Sequence, residues 1–355
     1  MRILFLYTYN KSLLSDFFLD IGQKLCEDDH EVKVFSLKKY PGRSRLGKIE
    51  ITVEKKGGYL NNYFKIFKFI KAVSPDVVIS NFSYDNPALL AGHVLKIKRN
   101  IVWVHSLKNH GDPGRHQIFL KSQFYKFADS VIVNSFILEN ELIKVFKVKK
   151  TKITAIPFWS NIEEIRPTSI NINKGAGKIL IGCPGRFTII KNQTVIIDAI
   201  LTLQPKVKEK IEVYFAGDGP THQIIEEKVN KLNLQDQINF LGVLSAGQIK
   251  DFYMKMDVIV LPSLYESFGL VFIEAISLGT PVIVSSEFGA LGFVDKESEE
   301  IKKILFDPRN SADLAGKLLN MLEDGGLNKA FFKKIYSDHF DKDFIHEKVI
   351  KVLKE

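Results

Sequence analysis

Short, continuously apolar runs alternate with longer amphipathic ones along most of this chain, and that alternation constrains its fold more than any other feature. RILFLYT, EVKVFSL, DVVISNF, NIVWVHS, SVIVNS and KITAIP are rich in β-branched and aromatic residues, and each is too short for a stable helix. Helical periodicity fills the gaps near residues 13–27, 59–73, 87–97, 115–127 and 136–145. Apolar strands joined by helices bury themselves as a parallel sheet covered on both faces, so the pattern predicts a doubly wound α/β fold. The rhythm breaks in NIEEIRPTSININKGAGK, which is polar, contains Pro167, Gly175 and Gly177, and reads as a linker. It then restarts with KILIGCPG, IEVYFAG, QINFLG, DVIVLPS and PVIVSS, separated by helical runs near 191–203, 220–232, 245–255 and 269–278. Further helices are predicted around 311–323, 327–337 and 342–354. A chain of 355 residues exceeds what one core supports, and the restart predicts two domains, 1–165 and 166–340, with a terminal helix in 341–355.

Charge is unevenly distributed: residues 1–150 hold 25 Lys and Arg against 14 Asp and Glu, whereas residues 151–355 hold 25 against 27. A basic first domain attracts phosphates of lipids, of nucleic acid or of an anionic acceptor, and is equally compatible with a solvated lysine-rich surface. Its segment NNYFKIFKFIKAV reads as a helix that either buries its aromatics in the core, the favoured placement, or lies on a membrane. Cys26 and Cys183 fall in a helical and a strand segment without metal-ligand spacing, which predicts buried reduced thiols and a cytoplasmic setting. MRILFLYTYN is too short in its apolar run for a signal peptide and reads as a strand, and no run reaches membrane-spanning length.

In open parallel sheets, ligands gather beyond the carboxyl ends of the strands, which directs attention to four junctions of the second domain. GCPGRFTIIKN places Gly185, Arg186 and Lys191 where a strand hands over to a helix, two cations suited to a diphosphate. FAGDGP supplies Gly217 for a tight turn and close backbone approach, and FLGVLSAGQ leaves the backbone of Val243 and Leu244 free to read a base edge. An ordinary strand-to-helix turn explains FAGDGP at least as well, and FLGVLSAGQ by itself is a faint signal. LPSLYESFGLVFIEAISLGT is the most informative: Glu266 and Glu274 stand eight residues apart, with Ser267, Phe268, Gly269 and Leu270 between them. Glu274 falls in an apolar helical run, where an unsatisfied carboxylate costs several kcal/mol. Glu266 precedes the helix, whose first amides suit phosphate or sugar oxygens.

Taken in this order and spacing, the four junctions resemble the donor domain of glycosyltransferase family 4, whose fold is GT-B: two doubly wound Rossmann-like domains facing across a cleft. The resemblance spans essentially the whole chain and is most specific over residues 181–285. It implies that Arg186 and Lys191 of the G-R-x-x-x-x-K-N pattern bind the donor diphosphate. Of the E-x7-E pair, Glu266 would contact the transferred sugar and Glu274 the ribose hydroxyls. It further implies a UDP- or GDP-linked sugar as co-substrate, retention of configuration, and no cofactor or metal. AIPFWSNIEEIRP resembles the family's interdomain segment, with Phe158-Trp159-Ser160-Asn161 in place of Asn-Gly-Val-Asp. His105, at the end of NIVWVHS, matches a family histidine near the transferred sugar and acceptor; Ser135 matches a helix-capping serine. The family's glycine-rich turn after the first strand is replaced by TYNKSLLSD, in which Tyr9 and Asn10 are the candidate acceptor-side contacts. The terminal helix is expected to return to the first domain.

These implications give catalytic roles to Arg186, Lys191, Glu266 and His105. The acceptor is expected to be a glycan or lipid-linked glycan in surface polysaccharide or glycoconjugate synthesis, with peripheral contact between the basic domain and an anionic membrane. Two enzyme alternatives keep the architecture, a GT-B phosphorylase and a nucleotide-sugar epimerase. The first should carry a cofactor lysine and the second a facing pair of acids, and neither is evident. A nucleic-acid or anionic-surface binding protein with a degenerate donor site is the non-enzyme alternative. The intact four-residue set and the lack of a basic-aromatic recognition pattern speak against nucleic acid.

Overall fold

Ile3, Leu4, Phe5 and Leu6, like Val77, Val78 and Ile79, are at most 1% exposed, as befits parallel strands buried on both faces. They lie in β1 (Arg2–Leu6) and β5 (Val77–Ser80), two of eight strands of the first sheet. The others are β2 (Glu31–Lys38), β3 (Gly42–Leu46), β4 (Ile49–Lys55), β6 (Arg99–Val104), β7 (Ser130–Val133) and β8 (Ile153–Ala155). The spatial order is β3-β4-β2-β1-β5-β6-β7-β8, so the chain winds outward on one side of β1 and then on the other. The computed structural model describes residues 1–10, 12–106, 114–323 and 326–355.

Every pairing in this sheet is parallel except β3 with β4, an edge hairpin absent from the sequence expectation. GRSRL is exposed throughout and carries no apolar periodicity, which is why it does not read as a strand. Helix Leu13–Glu27 is capped by the Ser12 side chain and helix Phe136–Lys144 by Ser135, the latter as expected. Helix Tyr59–Val73 buries Ile66 and Ile70 but leaves Tyr59 69% and Phe64 64% exposed, so its aromatics are only partly core residues. Its apolar positions outnumber those that one buried stripe accommodates.

Met1–Phe158 and Lys342–Glu355 form one compact unit, Trp159–Asp341 the other. Helix Lys342–Lys354 thus belongs to the first unit, where it buries Ile345, Val349, Val352 and Leu353, and where the Val352 carbonyl accepts from Arg99 Nη2 at 3.0 Å. The division falls before the polar stretch read as a linker. That stretch is bound to the second unit: Thr168 N donates to the Gly247 carbonyl at 2.9 Å, Ile170 N to Asp251 at 2.8 Å, and Lys174 pairs with Asp257.

The second sheet contains β9 (Ile179–Pro184), β10 (Ile211–Ala216), β11 (Ile238–Phe240), β12 (Val258–Leu261), β13 (Val282–Ser285) and β14 (Leu305–Phe306), in the order β11-β10-β9-β12-β13-β14 and wholly parallel. Its core joins Ile181, Cys183, Val213, Phe215, Val258 and Val260 with Ile196, Ile197 and Ile200 of helix Thr194–Thr202. Cys26 and Cys183 are buried free thiols, as expected.

Candidate donor site

Strand order reverses between β9 and β12, and a reversal of this kind opens a crevice at the carboxyl ends of the strands. The loops after β9, β10, β11 and β12 carry the donor-site residues expected from sequence, except Leu270, which opens the helix that follows β12, and Glu274, one turn further along it.

The loop after β9 is held by its neighbours. Gly185 N donates to Ala216 O at 2.8 Å and Phe187 N to Asp218 O at 3.0 Å. Gly217, at φ 139°, is required by this approach: a Cβ there would stand 2.1 Å from the Gly185 carbonyl oxygen. Its freedom therefore serves loop-to-loop packing, and Gly217 N in turn donates to Gly242 O at 2.7 Å. Arg186 is exposed, and among the described residues its guanidinium has no carboxylate partner. Lys191 closes a 3-10 turn, Ile189–Lys191, ahead of helix Thr194–Thr202 rather than opening that helix. Two residues with no role assigned from sequence fix this turn. Asn192, at φ 54°, donates through Nδ2 to Pro262 O at 3.2 Å and Pro308 O at 2.8 Å; buried Gln193 donates to Arg186 O at 3.1 Å.

With Leu264 N bonded to Ile190 O at 2.8 Å, the β9 and β12 loops are sewn together, and Lys191 Nζ forms an ion pair with Glu266 Oε2. Both side chains keep some exposure, 28% and 18%. Glu266 is anchored through its backbone, donating to Glu287 O at 3.2 Å and accepting from Gly289 N at 3.0 Å. Gly269, at φ 100°, turns the chain into helix Leu270–Ser277, and a Cβ there would meet the Phe288 ring at 2.3 Å. Among the described residues, the N–H groups of Gly269 and Leu270 have no acceptor, as expected of helix-start donors that face a ligand or solvent. Phe268 is 2% exposed, its ring packing against Phe293 and Phe340. Ser267 is partly exposed beside it.

Glu274 is 7% exposed, and Tyr253 supplies what its burial demands: the phenol donates to Oε2 at 2.8 Å. Burial raises the Glu274 pKa above the usual carboxylate range, and the Tyr253 hydrogen bond opposes that shift. Burial and the neighbouring carboxylate keep Tyr253 a phenol. Tyr253 lies 21 residues away on another helix, and only its place on that helix's inward face could have marked it. Val243 is 78% exposed and Leu244 half-buried, and among the described residues their backbone groups make no hydrogen bond.

His105, Tyr9 and Asn10 belong to the first unit. His105 follows β6, is 7% exposed, and lies among the rings of Phe18, Phe82, Trp103 and Phe158 at 5.3–6.1 Å. Neither ring nitrogen has a partner among the described residues, and burial pushes its pKa down to about 3, so it is neutral at physiological pH. After β1, Tyr9 N donates to Ser36 Oγ at 3.0 Å, and Asn10 Oδ1 accepts from the capping Ser12 hydroxyl at 2.6 Å. Serine side chains organise this turn in place of glycines.

Two family models match the chain in succession: the glycosyltransferase family 4 model over residues 15–163 and the group 1 glycosyl transferases model over residues 165–338. An uncharacterized glycosyltransferase of Methanocaldococcus jannaschii is 28% identical over 238 residues, covering 63% of this chain and 59% of that protein. A D-inositol 3-phosphate glycosyltransferase of Streptomyces bingchenggensis is 29% identical over 227 residues, covering 59% of this chain and 48% of that one. The chain thus spans about three fifths and one half of the length of these relatives. Among solved structures, Anabaena HepE in complex with UDP superposes with a TM-score of 0.78 at 18% identity over 100% of both chains. Sucrose-phosphate synthase of Thermosynechococcus elongatus gives 0.77 at 20% identity over 99% and 98%; both likenesses concern the fold. With the two family models meeting end to end across a pair of parallel-sheet, Rossmann-like units, the chain belongs to glycosyltransferase family 4, of GT-B fold.

Proposed function

We propose that the chain transfers a sugar from a nucleoside diphosphate sugar to a hydroxyl of a glycan or lipid-linked glycan, with retention and without a metal. The observation that carries this reading is the convergence, at one reversal point, of a free arginine, a Lys191–Glu266 pair and the buried Glu274. Donor binding would exchange partners. The diphosphate takes Lys191 and Arg186, and the Gly269 and Leu270 amides complete its surroundings. Glu266, released from Lys191, accepts from a hydroxyl of the transferred sugar. Glu274, held by Tyr253, accepts from the ribose.

As the bond between the sugar and its phosphate breaks, charge grows on the departing oxygen, where the two cations stabilise it more than in the ground state. The acceptor oxygen attacks the same face, and the leaving phosphate takes its proton. The comparison with UDP-bound HepE supports a nucleotide-sugar donor; the resemblance to the family supports retention and a role in surface glycan synthesis. Incubating the chain with a panel of UDP- and GDP-sugars, with and without glycan acceptors, tests the reading by mass spectrometry of released nucleotide. One donor should be consumed, in chelator as in buffer, with the product anomer matching the donor by NMR. Consumption of none, or an inverted product, would contradict it.

A further inference from the structure

The carboxyl ends of β2 and β4 carry a charge pattern unlike that of their amino ends. Near the amino ends cations meet acids: Lys33 Nζ lies 2.8 Å from Glu50 and 3.3 Å from Glu31, and Arg45 reaches Glu50 at 3.3 Å. At the carboxyl ends Lys38 stands in register with Lys55, and Lys56 N donates to Lys38 O at 2.7 Å. Among the described residues none of these three lysines forms an ion pair, and the neighbouring Glu54 is taken by Lys65 at 3.8 Å. Like charges on paired strands repel, so this end of the sheet favours an anion.

Beside the lysines a cavity of about 340 Å³ opens, its lining including Thr8, Lys56, Tyr59, Asn62, Tyr63 and Ser83. Tyr59 and Tyr63, one helical turn apart, have ring centroids 4.7 Å apart and hydroxyls 2.7 Å apart. Tyr59 is exposed and Tyr63 half-buried, so the pair is not spent on the core. Asn62 grips the loop ahead of their helix, accepting from Gly57 N at 2.8 Å and donating to Gly57 O at 3.1 Å, which fixes Lys56 relative to the tyrosines. Thr8 and Ser83 follow β1 and β5, and Lys38 Nζ lies 6.0 Å over the Tyr9 ring, which puts the cavity at the sheet end that carries Tyr9 and His105. An aromatic pair, hydroxyls and an unpaired ammonium group together suit a sugar ring that bears a negative charge. A neutral sugar would leave the lysines' repulsion unrelieved, and a bare anion would leave the tyrosines unused.

We propose that this cavity receives an acidic sugar residue of the glycan acceptor, its ring against Tyr59 and Tyr63 and its carboxylate or phosphate at Lys56, within the field of Lys38 and Lys55. The inference rests on the glycosyl transfer assigned above and names the acceptor's chemical class. The test is saturation-transfer NMR on the full chain without nucleotide, using methyl glucuronide, glucosyl phosphate, methyl glucoside and inorganic phosphate as probes. The glucuronide or the glucosyl phosphate should bind at least about tenfold more tightly than the glucoside, and the better of the two identifies the anion. Lys56→Glu should remove that preference, Tyr59→Ala should weaken every sugar probe, and Lys149→Glu, the same charge change at an exposed site elsewhere in unit one, should alter neither. Equal binding of the glucoside and both anionic sugars, equal binding of inorganic phosphate, or a preference that survives Lys56→Glu would overturn the proposal. Donor consumption is read separately. A consumed donor with no bound anionic sugar defeats this inference alone, and a bound anionic sugar with no consumed donor defeats the assigned reaction alone.

Discussion

Three buried or half-buried carboxylates show how differently one group type is satisfied in this chain. Glu266 has a lysine, Glu274 has a phenol, and Asp85 has little: it is 2% exposed, and its Oδ1 has no partner among the described residues. Burial outweighs the pull of Lys121 and of the nearby Ser80 hydroxyl, and pushes Asp85 up to about 7. The sign follows from linkage. Because the folded value lies above the unfolded one, the fold favours the protonated acid, and this contribution is complete below about pH 4 and lost as pH rises through about 7. The difference is on the order of 4 kcal/mol. Asp85→Asn should therefore flatten the melting temperature between pH 5.5 and 8.5 relative to the parent, which should lose stability toward the alkaline end. Parallel curves would show that Asp85 does not titrate there. At this scale Glu274 was legible because a carboxylate in VFIEAI conflicts with its apolar neighbours. Asp85, in SYDNPALL, raises no such conflict: it opens a helix, where an acid is ordinary.

At the scale of elements, the candidate donor site is four loops tied into one piece by backbone hydrogen bonds and the Asn192 side chain. Gly217 is the point of closest approach. Gly217→Ala should lower the melting temperature by several degrees more than Gly242→Ala, because a Cβ at 242 meets open space and only its φ of 66° is strained. Equal shifts would mean that the Gly185–Gly217 contact relaxes freely. The central strands were readable from sequence because burial on both faces makes them continuously apolar. The edge hairpin was not, since exposure removes that signal, and neither was the 3-10 turn bearing Lys191, which has the composition of a helix start.

Across the whole chain, the restart of the strand–helix rhythm marks two sheets. The polar segment between them misled, because Ile162, Ile170 and Ile172, buried on unit two, are too sparse to mark it as packed chain. Among the described residues no helix is long and apolar enough to cross a membrane. The claim that organises the molecule is that Arg186 and Lys191 hold the donor's diphosphate. Calorimetric titration of UDP and GDP into the parent chain, Arg186→Ala and Lys191→Ala tests it most directly. One nucleotide should bind the parent, and each substitution should weaken it at least about tenfold, the loss of one charge-assisted contact. Unchanged affinity in both variants would contradict the assignment.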